Sequence, residues 1–308
     1  MGNWTLSAWP ILASAALKST LVLGVAFLLS TLLRRRSAAA RHIVWTASAA
    51  ALLALPLLSI MLPALRVRVA NRVLPADTNL IFRTSSAAPA PVSGAATAGR
   101  PDTALAAPAR SVPDRPLTTR DALVLLWTIG LAVGLVQMLA GFALLMRTRR
   151  RARSSPDQET ADALAPRLGI EHPVHVLEFG AVMPMTFGVL RPTVLLPETA
   201  RAWSQERRDV VLLHELAHIA RGDAATQLLA RAALALHWWN PLAWLAWREF
   251  LRERERATDD LVLSAGAVAS NYAGHLLEIA RTMQFRAPGA AAAIAMARRS
   301  ELEGRLLA

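Results

Sequence analysis

Three stretches of the chain carry apolar residues with no polar stripe: Pro10 to Leu33, Ile43 to Leu65, and Asp121 to Met146. A helix on the surface of a soluble core turns a polar face outward every 3.6 residues, and these stretches have no such face. Each is long enough to cross the roughly 30 Å of hydrocarbon in a bilayer, so the pattern predicts three membrane helices. Lys18 places a charge in the first stretch, whose face there should meet protein or the headgroup layer. The neutral "MGNWTLSAW" before it reads as the start of a retained span rather than a cleaved signal.

Beyond Met146 the period changes. A short helix is expected around "ALAPRLGI", with strands at 174–179 ("VHVLEF") and 192–197 ("PTVLLP") and a turn glycine in the intervening "FGVLRP". The stretch "ARAWSQERRDVVLLHELAHIARGD" reads as an N-capped helix, ended by Gly222, with Asp223 capping the next helix over 224–239. Asn240 and Pro241 break that helix and start another running back, and everything after the motif looks helical.

Composition agrees with a membrane protein: 54% of residues are hydrophobic and the mean hydropathy is +0.34. There are 34 basic residues, nearly all arginine, against 22 acidic ones, a net charge of +12. The runs "RRR" (34–36) and "RTRRRAR" (147–153) each follow an apolar stretch directly, which assigns the charge to a membrane face and predicts no direct nucleic-acid contact. Basic flanks stay in the cytoplasm, so the N-terminus should be outside and both arginine runs inside. Residues 66–120 then lie outside. Their Ala, Pro, Ser and Gly cannot offset chain entropy, and the segment is expected to be a disordered linker.

The chain has no cysteine, so a metal must be held by His, Asp or Glu. "HELAH" places His214 and His218 on one helix face with Glu215 between them. Zinc in a catalytic site needs a third protein ligand and an open position for water. A helix over 224–239 would be about 24 Å long, and the return helix climbs about 21 Å by Glu255, which brings Glu255 back level with the histidines. Asp259, one turn on, could brace a ligand. A single crossing by "LLARAALALHWWNPLAWLAW" would strand Glu255 across the bilayer from His214, so this stretch is expected to be a hairpin. Its tryptophans and His237 should lie at the membrane interface or dip into it, with His237 an interface or core residue rather than a ligand.

Together "PMTFGVLRPTVLLP", "HELAHIARGD", "HWWNPLAW", "RERERATDDLVL" and "ARRSELEGRLLA" resemble the BlaR/MecR-type membrane zinc peptidases, and the ordering resembles HtpX/Ste24-like gluzincins. The resemblance is strong over 173–308 and weak over the spans. It implies a Zn2+ cofactor bound by His214, His218 and Glu255, with Glu215 as the base and Asp259 as the matching aspartate. Thr258 stands where many relatives have cysteine and is given no ligand role. The antibiotic-sensing relatives continue past the position matching Ala308 into a fourth span and a penicillin-binding sensor, so this sequence is expected to be either a piece of a longer chain or a sensorless relative, and β-lactam sensing is not carried over.

The expected protein is mainly α. Two transmembrane helices with an arginine-rich linker (1–65), the external segment (66–120) and a third span (121–146) precede a cytoplasmic, membrane-associated, α+β zincin-like metallopeptidase domain (147–308). Glu215 would take a proton from water attacking a peptide carbonyl. Tyr272 and His275, three apart on a later helix, are candidate oxyanion donors, and Asp223 joins Asp259 in supporting the ligands. A substrate strand could add to the edge of "TVLLP". Expected partners are membrane lipid, a second copy of the chain and a protein substrate, which the resemblance makes a cytosolic repressor. Competing readings are a membrane quality-control protease and a scaffold with a structural zinc site. An intact Glu215 argues against the scaffold.

Overall fold

The structure, a computed structural model, describes residues 4–61, 118–180 and 182–267. It is mostly helical with one small sheet. The expected linker at 66–117 lies outside the described residues, as do Tyr272, His275 and the closing "ARRSELEGRLLA".

Helices α1 (Trp4–Leu32), α2 (Ala38–Met61) and α3 (Thr119–Arg151) are the three apolar stretches. All three are long and apolar enough to cross a membrane. All three begin before the apolar run that reveals them. Ala38–Ala40 are helix formers, and the Ser37 hydroxyl accepts from the Ala40 N–H at 3.3 Å, so α2 already includes Arg41. Thr118 and Asp121 form a reciprocal capping box at the start of α3, which places 118–120 in its first turn rather than in the linker. Leu125, Ile129, Val136, Leu139 and Phe142 on α3 are exposed, as lipid-facing positions are.

Next come β1 (Arg153–Ser154), α4 (Gln158–Leu164), β2 (His175–Glu178), β3 (Met185–Phe187) and β4 (Thr193–Leu196). The sheet order is β1-β2-β4-β3, with β2 parallel to β4 and the two outer strands antiparallel to their neighbours. β4 is therefore an interior strand, buried along its whole length. This corrects the expectation of a free edge at "TVLLP": β3 occupies that side, because Gly188 turns the chain straight back. Gly188 has φ +92°, and a Cβ on it would stand 2.4 Å from the Arg191 carbonyl oxygen.

Helix α5 (Gln205–Ala220) starts at Ser204, whose hydroxyl accepts from the Arg207 N–H, and packs Leu212 and Leu216 against the sheet core. Gly222, at φ +67°, turns the chain into α6 (Asp223–Leu236), so Asp223 is the first residue of α6 and not its cap. Asn240 caps α7 (Pro241–Ser264) by accepting from the Leu242 N–H at 3.0 Å.

Helices α6 and α7 form the expected hairpin, and its tip is seated among the spans. Asn240 Nδ2 donates to the hydroxyls of Ser19 and Thr20 on α1, both at 3.4 Å. Trp238 Nε1 donates to the Trp127 carbonyl, and Trp127 Nε1 donates to the Leu236 carbonyl, each at 3.2 Å. The Trp238 ring fills the space a side chain on Gly130 would take, with a Cβ there only 2.0 Å away. Ser19 lies about 22 Å up α1 from Arg34, so the tip reaches well past the level of the arginines. His237 is buried there and donates from Nδ1 to the Ala233 carbonyl at 3.2 Å, a core role.

Candidate metal centre

The middle of the motif helix is buried at Val211, Leu212, Leu213, Glu215, Leu216 and Ala217, and the two imidazoles leave it toward α7. Burial is possible because Val211, Leu212, Leu213 and Leu216 satisfy the sheet core while the histidines take the remaining face. Their rings stand 4.9 Å apart and nearly perpendicular. Glu255 reaches in from α7, with its carboxylate 3.8 Å from His214 Nε2 and 3.9 Å from His218 Nε2. One ligand atom from each of the three lies within 4.8 Å of the others. Two imidazole nitrogens and a carboxylate, each side chain less than 15% exposed, form a donor set that suits a zinc-like ion with one position open to water.

Both histidines are oriented from behind. His218 Nδ1 stands 2.7 Å from Asp223 Oδ2 and donates to it, which leaves the Nε2 lone pair for a metal. Burial pushes the Asp223 carboxyl up, but the His218 hydrogen bond and the charges of His218, Arg221 and Arg254 outweigh it and hold the group below its ordinary value. Asp259 Oδ1 stands 3.6 Å from His214 Nδ1, in the corresponding position. The structure thus brings His214, His218, Glu255, Asp223 and Asp259 together.

Glu215, next along α5, is buried close to His218 and Glu255 and also reaches β3. Thr186 Oγ1 on that strand donates to Glu215 Oε2 at 2.8 Å. Burial pushes the Glu215 carboxyl up, and the neighbouring His218 and the Thr186 hydrogen bond only partly offset it.

Several contributors escaped the sequence reading. Thr258, fully buried, has its hydroxyl 3.2 Å from His218 Nδ1 and 3.3 Å from Asp223 Oδ2, so it packs behind His218. Thr186 lies on a strand too short to show a period. Arg254 donates from Nε to Glu255 Oε1 at 3.1 Å and so fixes one oxygen of that carboxylate. A carboxyl-bracing role at these positions follows only from the fold, and no spacing in the sequence marks it.

A stretch of 80 residues, 26% of this chain, is 38% identical to "Regulatory protein BlaR1" of Bacillus licheniformis. That match spans 13% of the relative's own length. The family profile described as BlaR1 peptidase M56 matches residues 10–308, covering the apolar helices, the sheet and the His–His–Glu cluster alike. The chain is a membrane protein of the BlaR1 peptidase M56 family.

Proposed function

We propose that the protein is a membrane-bound zinc metalloendopeptidase whose active site faces the cytoplasm and whose substrate is a cytosolic transcriptional repressor. The observation that carries this reading is the convergence of His214, His218 and Glu255 beside a buried Glu215. The three would hold the ion, and Asp223 and Asp259 would keep the imidazoles turned toward it. Bound zinc supplies a Lewis acid and lowers the pKa of its water to about 7. Glu215 accepts the proton of the attacking water at its carboxylate and passes it to the leaving amine. Thr186 keeps that carboxylate in one rotamer. An extended peptide would pair with β3, the outer strand of the sheet on this side, which runs beside Glu215.

The cytoplasmic orientation rests on the arginines. Arg41 binds Glu253, two residues from Glu255, which ties the cluster to the end of α2 that follows Arg34–Arg36. A site at that surface reaches a soluble regulator and not an envelope protein. Cleavage of a repressor-type substrate or of casein by the detergent-solubilised chain, abolished by Glu215→Gln, would support the reading. A wild-type chain that carries the metal and cleaves nothing would make the site structural. A reporter active only outside the cytoplasm should stay silent when fused after Ala200 and work when fused near Gly94. Activity after Ala200 would rule out a cytosolic substrate.

A further inference from the structure

The groups that orient His218 do not end at Asp223. Arg221 Nε donates at 3.3 Å to the same Asp223 oxygen that takes the His218 proton. Its Nη2 lies 3.2 Å from His42 Nδ1. A guanidinium only donates, so His42 Nδ1 is the acceptor and the imidazole proton sits on Nε2. His42 is buried near the start of α2, far from Arg221 in sequence.

The residue beside it grips the other ligand helix. Arg41 forks Glu253 Oε2 on α7 through Nε at 2.9 Å and Nη2 at 2.8 Å. Its remaining nitrogen, Nη1, donates to the Arg36 carbonyl at 2.6 Å and the Arg34 carbonyl at 3.4 Å, which closes the turn between α1 and α2. Two adjacent residues of one transmembrane helix therefore hold both elements that supply ligands. His42 reaches the α5–α6 junction behind His218, and Arg41 reaches α7 one half-turn before Glu255.

Joining helices does not require this chemistry. Burying charged groups is costly, and apolar side chains of similar volume hold helices together at least as well. Orientation is what the polar links add. A carboxylate behind a ligating histidine fixes its tautomer and angle, and whatever fixes that carboxylate acts on the ligand in turn.

We propose that His42 and Arg41 are positioning residues for the metal centre. Through Arg221 and Asp223 on one side and Glu253 on the other, they set His218 and Glu255. The site is fully formed only when the foot of the α1–α2 hairpin is seated on α5, α6 and α7. A shift of that turn in the membrane would loosen two of the three ligands at once. This rests on His214, His218 and Glu255 being the metal site.

The test uses the full chain in lipid nanodiscs, with zinc affinity from chelator competition and the visible absorption of the Co2+-substituted protein. His42→Ala should weaken zinc binding about tenfold, the lower end of what lost support behind a ligand costs, and should shift the Co2+ bands. His42→Asn, whose side-chain oxygen can still accept from Arg221, should restore most of both. The double variant His42→Ala with Arg221→Ala should lose no more than Arg221→Ala alone, since the two act in series. Arg41→Gln should also weaken zinc binding, and it carries the test alone if His42→Ala does not fold. Wild-type affinity and bands in His42→Ala and Arg41→Gln, or additive losses in the double variant, would overturn the proposal while leaving the site intact. A wild-type chain that binds no metal would overturn the site itself, and the proposal with it.

Discussion

The two cores that meet along α7 are built from different side chains. Around the sheet, branched residues such as Val176, Val194, Leu196, Leu212 and Leu216 interlock, and α7 contributes Val262 at its far end. Among the spans and the α6–α7 hairpin, six of the eleven buried positions are alanine (Ala26, Ala49, Ala230, Ala233, Ala243 and Ala246), beside Leu23, Leu52, Leu234, Trp45 and Phe250, against four of fifteen around the sheet. Where water surrounds the protein, removing large apolar side chains from it drives folding. Where lipid surrounds it, that force is absent and helices gain by approaching closely, which small residues allow.

Polar groups divide the same way. The sheet region buries Glu178 against Arg201 at 2.7 Å and Asp157 against Arg208 at 3.2 Å. The hydrogen bonds described at the hairpin tip join Asn240 to Ser19 and Thr20, and Trp238 and Trp127 to backbone carbonyls. The candidate metal site lies at the seam, with its histidines on the sheet side and its glutamate on the helix that continues into the bundle.

If that contrast is right, truncation should hurt the sheet core most and enlargement the bundle. Leu196→Ala, at an almost fully buried position of the central strand, should cost about 2–5 kcal/mol, read as a lowered thermal midpoint. Gly130→Leu drives a side chain into the Trp238 ring and should cost about 1–3 kcal/mol. Its control is Gly141→Leu on the same helix, where nothing lies within 4 Å and no loss is expected. A Gly130→Leu chain as stable as its control would show that α3 does not pack on the hairpin in the membrane. The smallest effect falls at the tip. Asn240→Ala removes the α7 cap and its bonds to α1 and should cost about 1 kcal/mol. A larger loss would mean that the neutral polar cluster contributes more than the packing around it.

How much of this was legible depended on the range of the interaction. The apolar stretches and "HELAH" show themselves in local sequence, and Asn240–Pro241 marks the hairpin because a capping side chain and a proline at the first helical position are local devices too. Strands β1 and β3, two and three residues long, are too short to display alternation. Missing β3 left β4 as an apparent edge and hid Thr186. Thr258 and Arg221 acquire meaning only from what tertiary packing sets beside them. Arg41 read as one more membrane-flanking arginine, although Glu253 neutralises it across the fold.

The seam is tested most directly by counting metal. Purified wild-type chain should hold one zinc per molecule by elemental analysis. His218→Ala on the sheet side and Glu255→Ala on the bundle side should each hold essentially none, while Glu215→Gln keeps the metal and loses cleavage. Full occupancy in Glu255→Ala would contradict a ligand set shared between the two regions and turn attention to Glu253 or Asp260 as the third ligand.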